Sequence, residues 1–308
     1  MDIGALKAFI AVAEAGSFSL AAERLFLTQP AVSKRIAALE DELDARLFDR
    51  IGRSITLTEA GRALLPRARN ILIELEDSMR AISNLNGEIH GTLRFATSHH
   101  IGLHRLPPAL RVFTRRHPQI RLDIRFMDSE AACQAVEHGE LELGIVTLPP
   151  QPSTSLSTRV VWPDPLSIVV APEHDLAKKR GVRLDDLARH PAILPSPNTY
   201  TRQIAERAFS ELGLALDVSL STNYLETIKM LVSIGIGWSL LPATMLDDQL
   251  KSLPVRQLKL KRELGVVYHR ERTLSNAARA LIGLLQNPSP GEAQGGGKRS
   301  EPHRPPLR

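Results

Sequence analysis

The chain has 308 residues, of which 43% are apolar and 24% charged, with 39 Lys/Arg against 34 Asp/Glu, a composition that supports two or three globular units, each with its own core. A single cysteine, Cys133, excludes an internal disulfide. The first twenty residues carry no apolar leader after a basic stretch, and no run approaches the roughly 18 apolar residues of a membrane span, so a cytoplasmic protein with no membrane partner is expected.

Ile3, Leu6, Phe9, Ile10 and Ala13 recur at helical spacing until "AGSFS" breaks the pattern. Ser19 is read as the N-cap of a second helix, "LAAERLF", and the turn "FLT" leads into a third. Thr28 caps this third helix, with Pro30 in its first turn, where a missing N–H costs nothing. At 100° per residue, Gln29, Pro30, Ser33, Lys34 and Ala37 share one sector, and Val32, Ile36, Leu39 and Leu43 another. The second sector suits a domain core and the first a DNA major groove. Gln can pair with adenine, Ser with either base type, and Lys34 or Arg35 with guanine or phosphate. Net charge does not make this argument, because residues 1–90 hold 11 Lys/Arg against 13 Asp/Glu. The placement of the charges does.

"RLFDRIGRSITLT" reads as a two-stranded hairpin with Arg50 and Arg53 at its tip. From Thr58 to about Leu85, an apolar stripe of Leu64, Leu65, Ala68, Ile71, Leu72, Leu75, Met79 and Ile82 predicts a long linker helix that packs on a copy of itself, kinked at Pro66. "NGEIHG", residues 86–91, marks the domain boundary. Beyond it, strands at "TLRFATS", "IRLDIRFM" and "LELGIV" alternate with helices in a βαβαβ order with a parallel sheet. A second set follows: strands at "LSIVVAP", "PAILPS", "DVSLST" and "WSLLP", with helices over 201–212 and 224–234. The chain then returns through "LGVVYHR" to a last helix around 273–286, and two lobes around a cleft are expected. Trp162 is placed at the crossover between lobes and Trp238 at the start of a core strand. The Pro/Gly/Ser-rich residues 291–308 read as a disordered tail.

Strand-to-helix junctions converge on such a cleft, where N–H groups and hydroxyls favour an anion. They place Thr97, Ser98, His99 and His100 at "FATSHH", Ser129 at "MDSEAA", and Ser196, Asn198, Thr199 and Thr201 at "PSPNTYTR". Thr222 and Asn223 stand at "STNYLE", and Thr147 ends a strand in the same layer. One histidine of the 99/100 pair is expected to donate to an anionic effector. His100 and His104 are four apart on one helical face, but without further ligands in the sequence no metal site, and no cofactor, is expected. Cys133 has no resolving cysteine and is read as buried packing. On the residues alone, three readings stand: a regulator with an effector, a periplasmic-type binding protein or enzyme, and a DNA-binding protein without an effector. The second lacks a nucleophile–base pair and a nucleotide-phosphate loop.

Ser17–Leu65 resembles the N-terminal winged helix-turn-helix of LysR-type transcriptional regulators nearly position for position. The remainder, through about 290, resembles that family's linker helix and periplasmic-binding-protein-like effector domain, most clearly at "GTLRFATS", "ELELGIV" and "LVSIGIGWSLLP". The resemblance implies an α+β multidomain chain: a winged helix-turn-helix over 1–58, a linker and dimerisation helix over 59–88, and a two-lobed α/β effector domain over 91–290. Lobe I would span about 91–161 and 266–290, and lobe II about 162–265. It implies no enzymatic activity, double-stranded promoter DNA and a small organic or inorganic anion as partners, and a homodimer or homotetramer. By position, Gln29, Pro30 and Ser33 match base-reading residues, Lys34 and Arg35 phosphate or base contacts, and Arg50 and Arg53 the wing. The family usually has arginine where Lys34 stands, and lysine keeps the charge but loses the bidentate fork. Thr97 and Ser98 match the junction that holds a carboxylate or comparable anion.

Overall fold

The computed structural model describes residues 1–51, 54–85, 87, 89–255, 258 and 260–287. The chain divides into two compact units, Met1–Gly87 and Glu88–Arg308. The tail over 291–308 lies outside the described residues.

In the first unit, α1 (Ile3–Ala15) ends at Gly16, whose φ of 60° closes the helix in the left-handed region. Helix α2 (Phe18–Leu25) starts earlier than expected, because Ser17 rather than Ser19 is the N-cap and accepts the Leu20 N–H at 3.4 Å. The earlier start carries Phe18 into the core, edge-on to Phe48 at 5.9 Å. Helix α3 (Gln29–Leu43) is capped by Thr28, whose hydroxyl accepts the Ala31 N–H at 3.4 Å. Val32, Ile36 and Leu39 are buried against Leu6, Phe9 and Val12, but Leu43 is exposed, because α3 outruns the core before Asp44 ends it at φ 47°.

Strands β1 (Phe48–Ile51) and β2 (Ser54–Leu57) pair antiparallel as the wing. The Glu40 carboxylate fastens the wing to α3 by accepting the N–H groups of Leu47 at 2.7 Å and Phe48 at 3.4 Å. Helix α4 (Glu59–Leu85) runs unbroken past Pro66. Its Gly61 passes under the wing so closely that a Cβ there would lie 2.2 Å from the Leu47 carbonyl oxygen. Ala68 joins the core, while Ile71, Met79, Ile82 and Leu85 are exposed.

The second unit opens with β3 (Gly91–Thr97), α5 (His99–His104), α6 (Leu106–Arg116), β4 (Ile120–Phe126), α7 (Ser129–Glu137) and β5 (Leu143–Thr147). Strand β3 pairs in parallel with both β4 and β5, which is the expected βαβαβ arrangement. Next come β6 (Leu156–Val170), α8 (Asp175–Lys178), α9 (Leu184–Leu187), β7 (Ala192–Leu194), α10 (Tyr200–Ser210), β8 (Val218–Ser221), α11 (Leu225–Ser233), β9 (Ser239–Pro242) and β10 (Lys251–Leu253). Strand β11 (Leu260–His269) then returns, and α12 (Asn276–Gln286) closes the unit.

Strands β6 and β11 start ten and four residues before the segments read from sequence. "WPDP" argues against a strand, since proline cannot donate to a ladder, but these two long antiparallel strands run through both lobes. Their register skips between Leu264 and Gly265, and a Cβ on Gly265 would lie 2.1 Å from the Arg159 carbonyl oxygen. Lobe I packs Leu93, Phe95, Phe113, Ile145, Val266 and Leu281, with half-buried Trp162 against them. Lobe II packs Ile168, Val170, Leu187, Phe209 and Leu240 around Trp238, which stacks on Phe209 at 5.7 Å and donates its Nε1–H to the Leu187 carbonyl at 3.0 Å. Cys133 is buried, and burial pushes its thiol up to about 11, as an inert packing group requires. No helix of the described residues is long and apolar enough to cross a membrane.

Candidate DNA-reading helix and effector cleft

Helix α3 keeps its polar sector clear of the core. Thr28, Gln29, Pro30 and Lys34 are exposed, and Gln29 Nε2 donates to the Ser33 hydroxyl at 2.9 Å, a one-turn pairing that holds the two side chains on one face. Arg35 is placed differently. It is half-buried with its guanidinium beside Gly4, where an added Cβ would lie 3.0 Å from Nη1. Acidic groups gather at the other end of α3, where Glu40 serves the wing and Glu42 pairs with the N-terminal amine. Of the wing residues, Arg53 lies outside the described residues, and only the backbone of Arg50 is described. Sequence reading missed Phe26, 95% exposed at a φ of 54° in the turn before α3; a bulky apolar residue at positive φ has no sequence signature.

In the second unit a cleft of about 260 Å³ opens between the lobes. Nine of the expected side chains line it: Ser98, His99, His100, Ser129, Thr147, Ser196, Thr199, Thr201 and Asn223. Thr97, Asn198 and Thr222 do not. The Thr97 hydroxyl is fully buried and donates to the Ile145 carbonyl at 2.8 Å, Asn198 is exposed, and Thr222 accepts the Tyr224 N–H at 3.4 Å. Ser98 precedes α5 with no capping bond from its side chain.

The guanidinium that lines the cleft comes from a strand that sequence reading did not connect to it. Arg262 of β11 is buried, donating from Nε to Asp164 Oδ2 at 2.7 Å and from Nη1 to the Thr201 hydroxyl at 3.0 Å. Asp164 is fully buried and also accepts from Arg105 at 3.2 Å, so a single carboxylate serves two guanidinium groups. Burial pushes the Glu130 carboxyl above its usual range, opposed by the Tyr200 N–H it accepts at 2.5 Å. Asn223 bridges the lobes, donating to Asp128 at 2.7 Å and accepting the Ser196 N–H at 2.9 Å. His99 sits edge-on to Tyr224 at 5.3 Å. His104 Nε2 lies 2.9 Å from Glu226 Oε1, which also joins the lobes. Burial, with Arg262 and then His104 adding to it, brings His100 down to about 4 and keeps its ring neutral. The lining thus combines hydroxyls, the Asn223 amide, two imidazoles and the Arg262 guanidinium with the Asp128 and Glu130 carboxyls and the apolar faces of Phe126, Met127 and Tyr224, a mixed surface suited to holding a polar ligand.

A winged helix-turn-helix followed by a two-lobed, ligand-sized cleft is the build of a DNA-binding transcriptional regulator with an effector domain. Residues 3–62 match the family described as "Bacterial regulatory helix-turn-helix protein, lysR family", and residues 86–288 match the "LysR substrate binding domain". The chain belongs to the LysR family of transcriptional regulators. It is 31% identical over 281 residues to the RuBisCO operon transcriptional regulator of Allochromatium vinosum, covering 90% of this chain and 92% of that one. Over 108 residues it is 72% identical to an HTH-type transcriptional regulator in the ibpB-leuC intergenic region of Azotobacter vinelandii, covering 35% of this chain and 75% of the relative. A full-length OxyR variant of Pseudomonas aeruginosa has the same fold, with a TM-score of 0.66 at 22% identity over 93% of this chain and 98% of that one.

Proposed function

We propose that this regulator reads promoter DNA through Thr28, Gln29, Pro30, Ser33 and Lys34, with Arg35, Arg50 and Arg53 as flanking contacts, and that its effector is a small anion. The observation that carries the effector reading is that Ser98, Ser129, Thr147, Ser196, Thr199 and Thr201 line one cleft together with Arg262. Thr199 and Ser129 stand at the starts of α10 and α7, where helix dipoles add to the guanidinium field. The acidic lining residues are already engaged: Asp128 by Asn223, and Glu130 by the Tyr200 N–H and a raised pKa. A carboxylate of a small metabolite or an inorganic oxyanion fits this donor set. The effector biases the regulator by preferring one arrangement of the lobes over another. The exposed apolar residues of α4 serve self-association, and a two-fold pair of recognition helices then matches a palindromic site.

The test is a thermal-shift screen of neutral, cationic and anionic small molecules on the full chain, followed by operator binding with each hit. Anions should dominate the hits, and Ser98→Ala should lose the shift and the effector response while keeping operator affinity. Hits confined to neutral or cationic compounds, or a normal response in Ser98→Ala, would overturn the anion assignment.

A further inference from the structure

We propose that His100 and His104 of α5 and Glu226 of α11 form a divalent transition-metal site of the zinc class that clamps the two lobes of the effector domain together. The ligating atoms of these three side chains all lie within 4.8 Å of one another. His104 Nε2 stands 2.9 Å and His100 Nδ1 3.7 Å from the same carboxylate oxygen, Glu226 Oε1.

An ordinary hydrogen bond between lobes accounts for His104 and Glu226 but not for His100. That ring is 5% exposed, and neither of its nitrogens has a hydrogen-bond partner. The second oxygen of Glu226 is likewise buried without a hydrogen bond. Buried polar atoms are rarely left unmatched, because each forfeits its hydration. A cation at the meeting point of the three groups would engage one nitrogen of His100, one of His104 and the Glu226 carboxylate together.

Two imidazoles and one carboxylate are a borderline donor set suited to Zn²⁺, with a fourth position left for water or an effector oxygen. Arg262, whose charge acts on His100, is paired with Asp164, and so is Arg105. The two histidines, one helical turn apart, were visible in the sequence. The third donor was not, because it stands 122 residues away on the other lobe. This inference does not depend on the anion reading: the clamp holds the lobes whether or not an anion enters the cleft.

The experiment titrates the full-length, chelator-stripped chain with Co²⁺ and then Zn²⁺, following the visible Co²⁺ absorption and the thermal midpoint. One Co²⁺ per chain, displaced by Zn²⁺, and a midpoint raised by Zn²⁺ are expected. Two variants at partly exposed positions test the assignment. His104→Gln retains an amide to contact Glu226 but lacks the imidazole, and Glu226→Gln keeps the shape without the charge. Each should weaken metal binding by about tenfold or more and abolish the midpoint shift, while unfolding without metal stays near that of the wild type. Absence of Co²⁺ absorption in the wild type, or equal titrations in wild type and both variants, overturns the site; the second result would assign the metal to other histidines.

Discussion

The two functional surfaces solve opposite problems. On α3 the side chains proposed to meet DNA come from one short segment, with Gln29, Pro30 and Lys34 in solvent and few bonds beyond the Thr28 cap and the pairing of Gln29 with Ser33. In the effector cleft, groups from six or more separated segments meet, and most are already bonded: Arg262 to Asp164 and Thr201, Asn223 to Asp128 and Ser196, Glu130 to Tyr200. A surface that waits for a large polyanion can leave its donors to water. A cleft that discriminates among small molecules has to fix its donors beforehand, since every loose rotamer costs affinity. Removing a cleft residue should therefore damage stability first, and removing an α3 residue should damage recognition alone.

The largest expected effect is at Asp164. Its removal leaves Arg262 buried without its carboxylate and deprives Arg105 of a partner, so Asp164→Ala should cost about 3–5 kcal/mol. Both tryptophans lie in the second unit, which makes their fluorescence during urea unfolding a report on that unit alone. A loss below about 1 kcal/mol would mean that the cleft is as loosely held as the DNA face. Gly265→Ala comes next. The new Cβ would meet the Arg159 carbonyl at 2.1 Å, so the β6–β11 ladder must shift, at about 1–3 kcal/mol in the same fluorescence transition. An unchanged transition would show that the ladder yields easily at the point where it joins the lobes.

The same contrast explains what the sequence made legible. The helix-turn-helix is local: Thr28 as cap, Pro30 in the first turn and the 3.6-residue period of Val32, Ile36 and Leu39 all lie within twelve residues, and each sits where the pattern put it. Ser19 misled because Ser17, a second capping residue two positions earlier, also allows Phe18 to be buried, and packing decided between them. In the cleft, residues at strand-to-helix junctions could be read because a polar residue at a helix start follows a local rule. Arg262 and Glu226 could not. One lies mid-strand and the other inside the first turn of a helix, and only pairing over long sequence separations gives them a role. Thr97 failed for a related reason: its hydroxyl is close to the junction in sequence but turns into the sheet to meet Ile145.

Recognition variants should leave the fluorescence transition alone and change DNA binding. Gln29→Ala or Ser33→Ala is expected to lose about 1–3 kcal/mol of discrimination at one base position, read as a change in preference across operator variants by fluorescence anisotropy. Lys34→Ala should weaken binding to all sequences alike and reduce the slope of log affinity against log salt by about 1. If Lys34→Ala instead altered base preference at an unchanged slope, lysine would be reading a base where phosphate contact is expected.

The smallest expected effect concerns acid and lobe II. His174 caps α8 through Nδ1, which accepts the Leu176 N–H at 3.2 Å, and its ring packs edge-on to His190 at 5.2 Å. Burial, and then His190, hold its pKa below the ordinary 6.5. The folded state therefore takes up a proton less readily than the unfolded chain. The stability contributed by the neutral ring is present above the unfolded value of 6.5 and drains away as pH falls from there through the folded value. Protonation also removes the lone pair that caps the helix. His174→Asn should flatten this dependence, because asparagine is a good helix cap that does not titrate near neutral pH. Tryptophan-monitored unfolding at pH 7.5 and pH 5.5 measures it directly, since Trp238 Nε1 also donates to the His190 carbonyl at 3.1 Å and so reports from the same neighbourhood. Equal differences between the two pH values in wild type and His174→Asn would remove His174 from the acid response.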